Sequence, residues 1–521
     1  MDPRESKTQD QVPLGTSTNI SGNGPHEPTR QQQLSLDTLT MDDDGPRETP
    51  PKSENNVEYI QGVRLALVIA SISVVYFLNM LDTTVLATAI PYITDEFNSL
   101  LDIGWYGSAY TLATYVNLPG SLPKQAPRAS CAALMGIVMG IGQLGLAFGP
   151  LIGGAFTEYA SWRWCFYINL IIGIPVAAII LIMPIPDQLS KPALRDAFKN
   201  GVKVFDVPGF AIFTCAIVMF FLALQFGGNR LAWDSSAIIC LFWASGFALI
   251  AWLVWDWYAG NDAMVPYSMM RQRIVWVSCL CMAFQAIPMY SLTVYLPIYF
   301  QAVLGRTAFQ SGYTFLGTIV PQLLFAIVAG RAIEKTGYYT PFLLVGAVLS
   351  TVGLGLMSLL MPHSSAGMWV GFQVIYGIGR GISLSTPFVA VQNALPKRLI
   401  PAAMSMLMFT GNFFGAVAVV LCQTIFTNSL SELVPKYAPS VDPQVVIDAG
   451  STKVREVVAS DQLAEVMVAY AKSIDRTWYF DAAIAALAFV FGWLLGFKDI
   501  RKKREDEKSQ NQPTQEVDQG I

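Results

Sequence analysis

Long apolar runs dominate this sequence and restrict what the chain can fold into. Charged residues make up only 13% of its 521 residues, well below the share of about 25% in soluble domains. A run of about 20 apolar residues is long enough to cross the hydrocarbon core of a membrane as a helix. The sequence therefore predicts an all-α polytopic membrane protein.

Twelve runs qualify as candidate membrane spans. They are 63–91, 103–118, 129–156, 162–184, 206–227, 236–258, 273–300, 310–333, 340–361, 366–394, 400–428 and 478–497. Lysine and arginine concentrate in alternate short connections, which the positive-inside rule assigns to the cytosol. Both termini are therefore expected in the cytosol, and that arrangement requires an even number of spans.

The spans and their connections suggest five parts. Residues 1–60 and 499–521 are polar segments, and we expect them to be disordered cytosolic tails. The other parts are an N-terminal bundle of four spans at 61–186, a two-span linker region at 187–260, and a C-terminal bundle of six spans at 261–498. A long outer connection at 429–477, with surface helices, is expected inside the C-terminal bundle.

Several functional classes find no support in the sequence. The seven cysteines lie in or at the ends of apolar runs and the two histidines lie outside them, so we expect neither a disulfide framework nor a metal site. No basic stripe with interleaved aromatic residues predicts nucleic-acid binding. No nucleophile–base pair or nucleotide loop predicts an enzyme or a bound cofactor.

Three polar residues lie deep in predicted spans: Asp82, Asn169 and Arg380. A charge at that depth costs several kcal/mol unless it is paired, hydrated or protonated. Asp82 and Arg380 are therefore either cavity residues that bind protons or substrate, or structural residues paired with polar groups of a neighbouring helix. Asn169 needs a polar partner at the same depth.

The string GLAFGPLIGG at 145–154 predicts an unusual helix surface. Gly145, Gly149 and Gly153 are spaced four residues apart, so they share one face and allow another backbone to approach closely. Pro150 removes a backbone donor and bends the helix, and Gly154 ends the string. A smooth, bent helix is suited to rocking or sealing against a neighbour.

Several strings of this sequence, taken together, resemble a known family. The strings LDTTVLATAIP, GSAYTLAT, GLAFGPLIGG and WRWCFYINLIIG, in this order, resemble the 14-span drug:proton antiporters of the major facilitator superfamily, in particular the fungal branch that exports toxins, secondary metabolites and drugs. The resemblance continues through PIYFQAVLGRTAFQSG, GRAIEKTGYYTPFLLVG, YGIGRGISLSTPFVAVQ and GNFFGAVAVVLCQTIF and covers roughly residues 60–500.

The resemblance carries expectations about structure and function. It implies the major facilitator fold, a small organic substrate, exchange for protons, and a monomer in the plasma membrane or, alternatively, the vacuolar membrane. It makes the string at 145–154 an exporter motif. It also implies a cytosolic latch-like loop, with the residues Arg331, Glu334, Lys335 and Gly337.

The chain departs from this family in its number of spans. The family has fourteen, and GWYGSAYTLAT resembles its second span while the string at 145–154 resembles its fifth. Spans three and four are therefore expected to be missing at the segment NLPGSLPKQAPR, together with a latch loop and the arginine motif of span four. Three functions stay open: a proton-coupled efflux transporter, an inactive or partner-dependent truncated form from mis-splicing or misprediction, and a membrane sensor that does not transport.

Overall fold

The computed structural model describes residues 63–97, 128–182, 206–228, 231–260, 263, 265–396, 399–450, 453–497 and 499. These residues are helical almost throughout, and an isolated β-bridge joins Gly227 and Leu231. The predicted terminal tails, the predicted span at 103–118 and residues 117–127 of the proline-rich segment lie outside the described residues.

The described residues form twelve helices of nine residues or more, numbered here in chain order. They are α1 (Val63–Glu96), α2 (Arg128–Tyr159), α3 (Trp164–Ile182), α4 (Val207–Phe226), α5 (Ser236–Ala259), α6 (Arg273–Ile298), α7 (Ala308–Thr336), α8 (Thr340–Met357), α9 (Ala366–Ser383), α10 (Thr386–Ala394), α11 (Ile400–Tyr437) and α12 (Leu463–Gly492). A π-helical turn, Tyr299–Val303, continues α6, and a 3₁₀ turn, Trp493–Leu495, continues α12. Shorter helices are Tyr267–Met270, Pro443–Ala449 and Val454–Val457.

Ten stretches of the described residues are long and apolar enough to cross a membrane. The prediction of an all-α polytopic membrane protein is thereby confirmed. Ten of the twelve predicted spans coincide with these stretches, and the predicted span at 129–156 corresponds to α2. The span predicted at 366–394 is divided into α9 and α10, and the second of these begins with Pro387 in its first turn.

The expected long connection at 429–477 is wrong over much of its length. Helix α11 continues to Tyr437 and α12 begins at Leu463, so the connection between them is 438–462. Charged residues interrupt the apolar pattern in both extensions. Glu432 and Arg476, which pair with each other, lie on the exposed face, whereas Asp475 is buried. The opposite faces bury apolar side chains such as Val434 and Val466, and this burial extends both helices.

The helices pack as two groups that meet at a small number of helix pairs. Helix α1 packs against α2 and α3, whereas α6 to α9, α11 and α12 supply most of one large apolar core, to which Ile90 and Leu146 also contribute. Helices α4 and α5 pack against each other, and α4 also contacts α11. The two groups meet where α2 crosses α7 and where α1 contacts α6 and α7.

Local sequence fixes several helix ends near these contacts. Thr307 and Gln310 form a capping box at the start of α7, and Gly337 ends that helix with φ of 80°, a conformation that glycine adopts without strain. Asp206 caps α4 by accepting a hydrogen bond from the backbone of Gly209, and it also accepts one from Trp255 Nε1 of α5. The second bond ties the two linker helices together.

Candidate functional site

A small cavity lies where the two groups of helices meet. Both groups line it, because Thr84 of α1 and Leu146 of α2 face residues of α6, α7 and α9 across the space. The facing residues are Met289, Leu292, Thr293, Phe315, Thr318, Ile319, Gln322 and Tyr376. None of these side chains carries a charge at neutral pH, so the walls combine apolar surface with hydroxyl and amide groups.

Helix α2 contacts α1 through the face that carries the predicted glycine string. A Cβ atom on Gly145 would overlap the carbonyl oxygen of Phe77, and a Cβ atom on Gly153 would overlap that of Val85. The two backbones are therefore in direct contact, which only glycine at these positions permits. Gly149 faces the Thr84 hydroxyl in the same way.

Pro150 leaves the carbonyl of Leu146 without its usual helical donor, since proline has no N–H. The Thr84 hydroxyl donates to that carbonyl at 3.3 Å. One turn further along, the Thr88 hydroxyl donates to the Pro150 carbonyl at 3.5 Å. Hydrogen bonds from α1 thus satisfy the backbone of α2 at its proline, and one of these threonines also lines the cavity.

Gly154 places the same helix against the other group. A Cβ atom on Gly154 would meet the Ala308 carbonyl of α7, and a Cβ atom on Gly312 of α7 would overlap the Pro150 carbonyl. The close crossing of α2 and α7 is therefore reciprocal. The string GLAFGPLIGG brings three helices, α1, α2 and α7, into contact beside the cavity.

Asp82 and Asn169 are brought together. The Asn169 side-chain amide donates to Asp82 Oδ1 at 2.5 Å, and Asp82 is 7% exposed. Asn169 therefore has the polar partner that its depth requires. Neither residue is among those that line the cavity between the groups, so the pair lies within the N-terminal group.

Arg380 lies in a second small cavity, inside the C-terminal group, which shares Tyr376 with the first. Its Nη1 donates to Gln285 Oε1 at 3.0 Å and its Nη2 lies 3.3 Å from Met289 Sδ. The flanking glycines let neighbouring helices approach α9 closely, because a Cβ atom on Gly379 would overlap Ser350 and one on Gly381 would overlap the Gln322 carbonyl. Arg380 is thereby buried to 3% exposure.

The predicted latch-like residues lie at the end of α7. Arg331, Glu334 and Lys335 are exposed there, and Gly337 terminates the helix. The sequence predicts no contact between these residues and Asp82, Asn169 or Arg380.

Two buried carboxyl groups escaped the sequence analysis, Asp475 and Asp481. Both lie in the middle of α12, at 5% and 0% exposure. The predicted start of the last span at residue 478 placed Asp475 in a loop and Asp481 near a membrane surface. The signal that could have found them is the apolar pattern that continues upstream to Val466 between the charged residues.

Comparisons with known proteins agree on one family. A family model described as the Major Facilitator Superfamily matches residues 119–419. The chain is 38% identical to the MFS-type transporter pigP of Monascus ruber over 526 residues, which covers 90% of this chain and 92% of that protein. It is 37% identical to the efflux pump mlcE of Penicillium citrinum over 525 residues, covering 88% of this chain and 95% of that protein.

These alignments contain positions that this chain lacks. Ninety per cent of 521 residues is about 469, so about 57 of the 526 positions aligned with the Monascus ruber protein have no counterpart here. The alignment with the Penicillium citrinum protein, which uses 88% of the chain for 525 positions, leaves about 67. The chain is thus shorter than both relatives within the aligned region.

A solved structure shares the fold. It is a bacterial homologue of the human lysosomal transporter Spinster in an inward-facing, unoccupied conformation. The TM-score is 0.52 at 14% identity, and the match covers 86% of this chain and 99% of the other.

Proposed function

The chain belongs to the major facilitator superfamily, and from this premise we propose that it exports small hydrophobic organic molecules by alternating access. The observation that carries the proposal is the cavity between the two groups of helices, which residues of α1, α2, α6, α7 and α9 line together. Transporters of this kind bind substrate near the midplane between two bundles that rock against each other. Relatives at 38% and 37% identity are named as a transporter and an efflux pump.

The lining of this cavity favours uncharged substrates. Its polar groups are hydroxyls and one amide, and its other residues are apolar or aromatic. An ionised substrate would lose its hydration there without gaining an opposite charge, which is costly. A neutral molecule with a few hydroxyl or carbonyl groups can bury its apolar surface and still form hydrogen bonds.

Export is proposed to be coupled to proton entry, with the buried polar residues as the responding groups. A change of protonation at Asp82 would alter its hydrogen bond with Asn169, which joins α1 to α3. Arg380 would respond through its contacts with Gln285 and Met289. These two assemblies lie in different groups of helices, so a proton bound in one has to act on the other through the helices between them.

The glycine-proline string is proposed to be the surface on which the groups rock. Helix α2 crosses α7 without intervening side chains at Gly154 and Gly312. A crossing of this kind offers little resistance to a change of angle, because no side chains interlock. The latch-like residues at the end of α7 would hold the cytosolic side when it is closed.

The shorter length supports the proposal that two spans are missing. The 57 to 67 positions without a counterpart, estimated above, are close to the length of two spans of about 20 residues with their connections. The family match begins at residue 119, inside the proline-rich segment where the gap was predicted. The specific alternative is therefore a truncated protein that is inactive by itself or depends on a partner.

Dye export from cells tests the proposal. Cells that express the chain, labelled to report whether it reaches the plasma membrane, are loaded with Nile red as a neutral probe or rhodamine 6G as a cationic one. We expect faster loss of Nile red than from empty cells, and no difference for rhodamine 6G. The variant Thr293→Phe should fill the cavity and abolish export, whereas Thr351→Phe on α8 lies outside both cavities and should not.

Equal retention of Nile red in expressing and empty cells would remove the export function for this form of the protein. Faster loss of rhodamine 6G alone would instead contradict the proposed preference for neutral substrates.

A further inference from the structure

Asp481 is the most deeply buried carboxyl group of α12, and none of the proposed steps above uses it. Its side chain is 0% exposed. Oδ1 lies 3.9 Å from Cys422 Sγ, and Oδ2 has no hydrogen-bond partner. No lysine or arginine of the described residues lies within ion-pair distance of it.

The groups that face Asp481 come from three other helices, and none is a cation. Ser291 and Tyr295 face it from α6, Cys422 from α11 and Tyr376 from α9. Its own helix contributes Tyr470, which lies near Tyr295. An ionised carboxylate in these surroundings would be buried with weak hydrogen bonds and no opposite charge, an arrangement that costs several kcal/mol.

The helix face that carries Asp481 continues into the Arg380 cavity. Ala485 and Ala488 line that cavity, and they follow Asp481 by four and seven residues, so all three share one face of α12. On α6, Pro288 lines the cavity and Ser291 follows one turn later. The carboxyl group therefore lies about one helical turn beyond the cavity wall.

Unsatisfied polar atoms surround this same space. Gln285 Nε2, Tyr376 OH and Arg380 Nε have no hydrogen-bond partner, as is also true of Asp481 Oδ2. The first three residues line the cavity directly, and Tyr376 interacts electrostatically with both Arg380 and Asp481. Buried polar atoms without partners are rare in proteins. Three of these atoms belong to residues that line one cavity and the fourth lies about one turn beyond its wall, so a water molecule in the cavity would satisfy polar groups that the protein leaves without partners.

We propose that Asp481 is a proton-binding site of the C-terminal group, reached through the Arg380 cavity. The carboxyl group takes a proton from water in the cavity, keeps it on Oδ2 while the helices are packed as they are here, and returns it to water when they separate. This assignment rests on the proposed transport function and adds a second carboxyl group to it.

The site differs from the Asp82 pair in how it can respond. Asp82 accepts a hydrogen bond from Asn169, which stabilises its ionised form, whereas Asp481 faces a thiol and hydroxyl groups. The close packing of α6, α9 and α11 around Asp481 is therefore favourable when Asp481 is protonated and unfavourable when it is ionised.

Infrared difference spectroscopy on the purified full-length protein tests the binding of the proton without any substrate. Spectra recorded at low and high pH should contain a carboxyl C=O band that disappears in Asp481→Asn and persists in the control Glu465→Gln, whose residue is exposed on the same helix. In Asp481→Glu the band should remain but shift. Identical difference spectra for the wild type, Asp481→Asn and Asp481→Glu would overturn the proposal.

Nile red transport in proteoliposomes tests what the proton does. Asp481→Asn should equilibrate the dye as the wild type does. Under an imposed pH gradient, its accumulation of dye should be at least tenfold lower than that of the wild type. Asp481→Glu should recover part of this accumulation. Gradient-driven accumulation at the wild-type level in Asp481→Asn would contradict the coupling role. If the wild type itself moves no dye, the proposed transport function fails, and the infrared spectra still decide whether Asp481 binds the proton.

Discussion

The two groups of helices differ in how they surround their buried carboxyl groups. Asp82 of the N-terminal group accepts a hydrogen bond from Asn169 of α3, and that helix is mostly exposed, with Leu170 at 60% and Ile174 at 65%. Asp481 of the C-terminal group is enclosed by α6, α9 and α11 and is fully buried.

The difference shows what enclosure adds to a membrane carboxyl group. A carboxylate beside one helix can be satisfied by one amide, and its ionisation is then a local event. A carboxyl group among four helices has to be neutral or to force those helices apart, because its charge cannot be placed near water. Only the second arrangement links a single proton to the packing of a whole bundle.

The largest expected effect comes from restoring what the N-terminal group is proposed to lack. A chimera receives, between Gly120 and Arg128, the segment that the Monascus ruber relative carries opposite the gap. The N-terminal group would then gain two helices, which would enclose Asp82 as Asp481 is enclosed. We expect Nile red export at least tenfold faster than that of the present chain, equivalent to about 1.4 kcal/mol in activation free energy.

A flexible glycine-serine insert of the same length is the control for the chimera, and it should leave export unchanged. Equal rates for the chimera and the present chain would show that the N-terminal group is complete for transport as it stands.

The next effect concerns how closely the N-terminal helices pack. Gly153→Leu places a side chain where the carbonyl of Val85 lies, so α1 and α2 have to separate at a cost of about 1–3 kcal/mol or more. Gly173→Ala on α3 is the matched control, since no atom lies within 4 Å of its added Cβ. The thermal unfolding midpoint in detergent should fall for Gly153→Leu and stay equal or rise for Gly173→Ala.

A midpoint that stays equal or rises in Gly153→Leu as well would mean that helix propensity, rather than the close contact of α1 and α2, sets the stability of this group.

How much of this arrangement the sequence predicts depends on the kind of signal. The glycine spacing at 145–153 predicted a face for close helix contact, and long apolar runs predicted the spans, because both patterns are local. The partners of buried polar groups depend on tertiary packing. Asp82 and Asn169 were selected separately, and nothing in the sequence paired residues 87 positions apart.

Asp481 was overlooked for a different physical reason. Charged residues at Lys472, Asp475 and Arg476 suggested a loop. In the structure the helix continues through them, with Arg476 paired with Glu432 at the surface and Asp475 buried. Since α12 begins at Leu463, the carboxyl group lies near its middle. The position of a residue within a span is therefore only as reliable as the predicted end of that span.

A smaller effect distinguishes the two buried carboxyl groups, Asp82 and Asp481. In the proteoliposome assay, Asp82→Asn should reduce gradient-driven Nile red accumulation by only about fivefold, less than the loss expected for Asp481→Asn, because a lost or altered hydrogen bond changes the free energy by about 1 kcal/mol. Asn169→Ala, which removes the donor, should have an effect of similar size. An equal or larger loss in Asp82→Asn would place the main proton site in the N-terminal group.

The smallest effect is expected at the exposed end of the N-terminal group. Glu96 accepts hydrogen bonds from Trp162 Nε1 at 2.5 Å and from Arg163 Nη2 at 2.8 Å, and these two bonds, the one from Trp162 first, lower the pKa of Glu96. A lowered pKa in the folded state means that the stabilisation is present above the ordinary range for glutamate and is lost as the pH falls through the lowered value.

Glu96→Gln should therefore slightly lower the unfolding midpoint at neutral pH, remove this part of its fall in acid, and leave gradient-driven transport unchanged. The wild-type midpoint should also fall slightly in high salt, since the groups are exposed and screened. A change in transport coupling would instead mean that the contact between α1 and the start of α3 moves during the transport cycle.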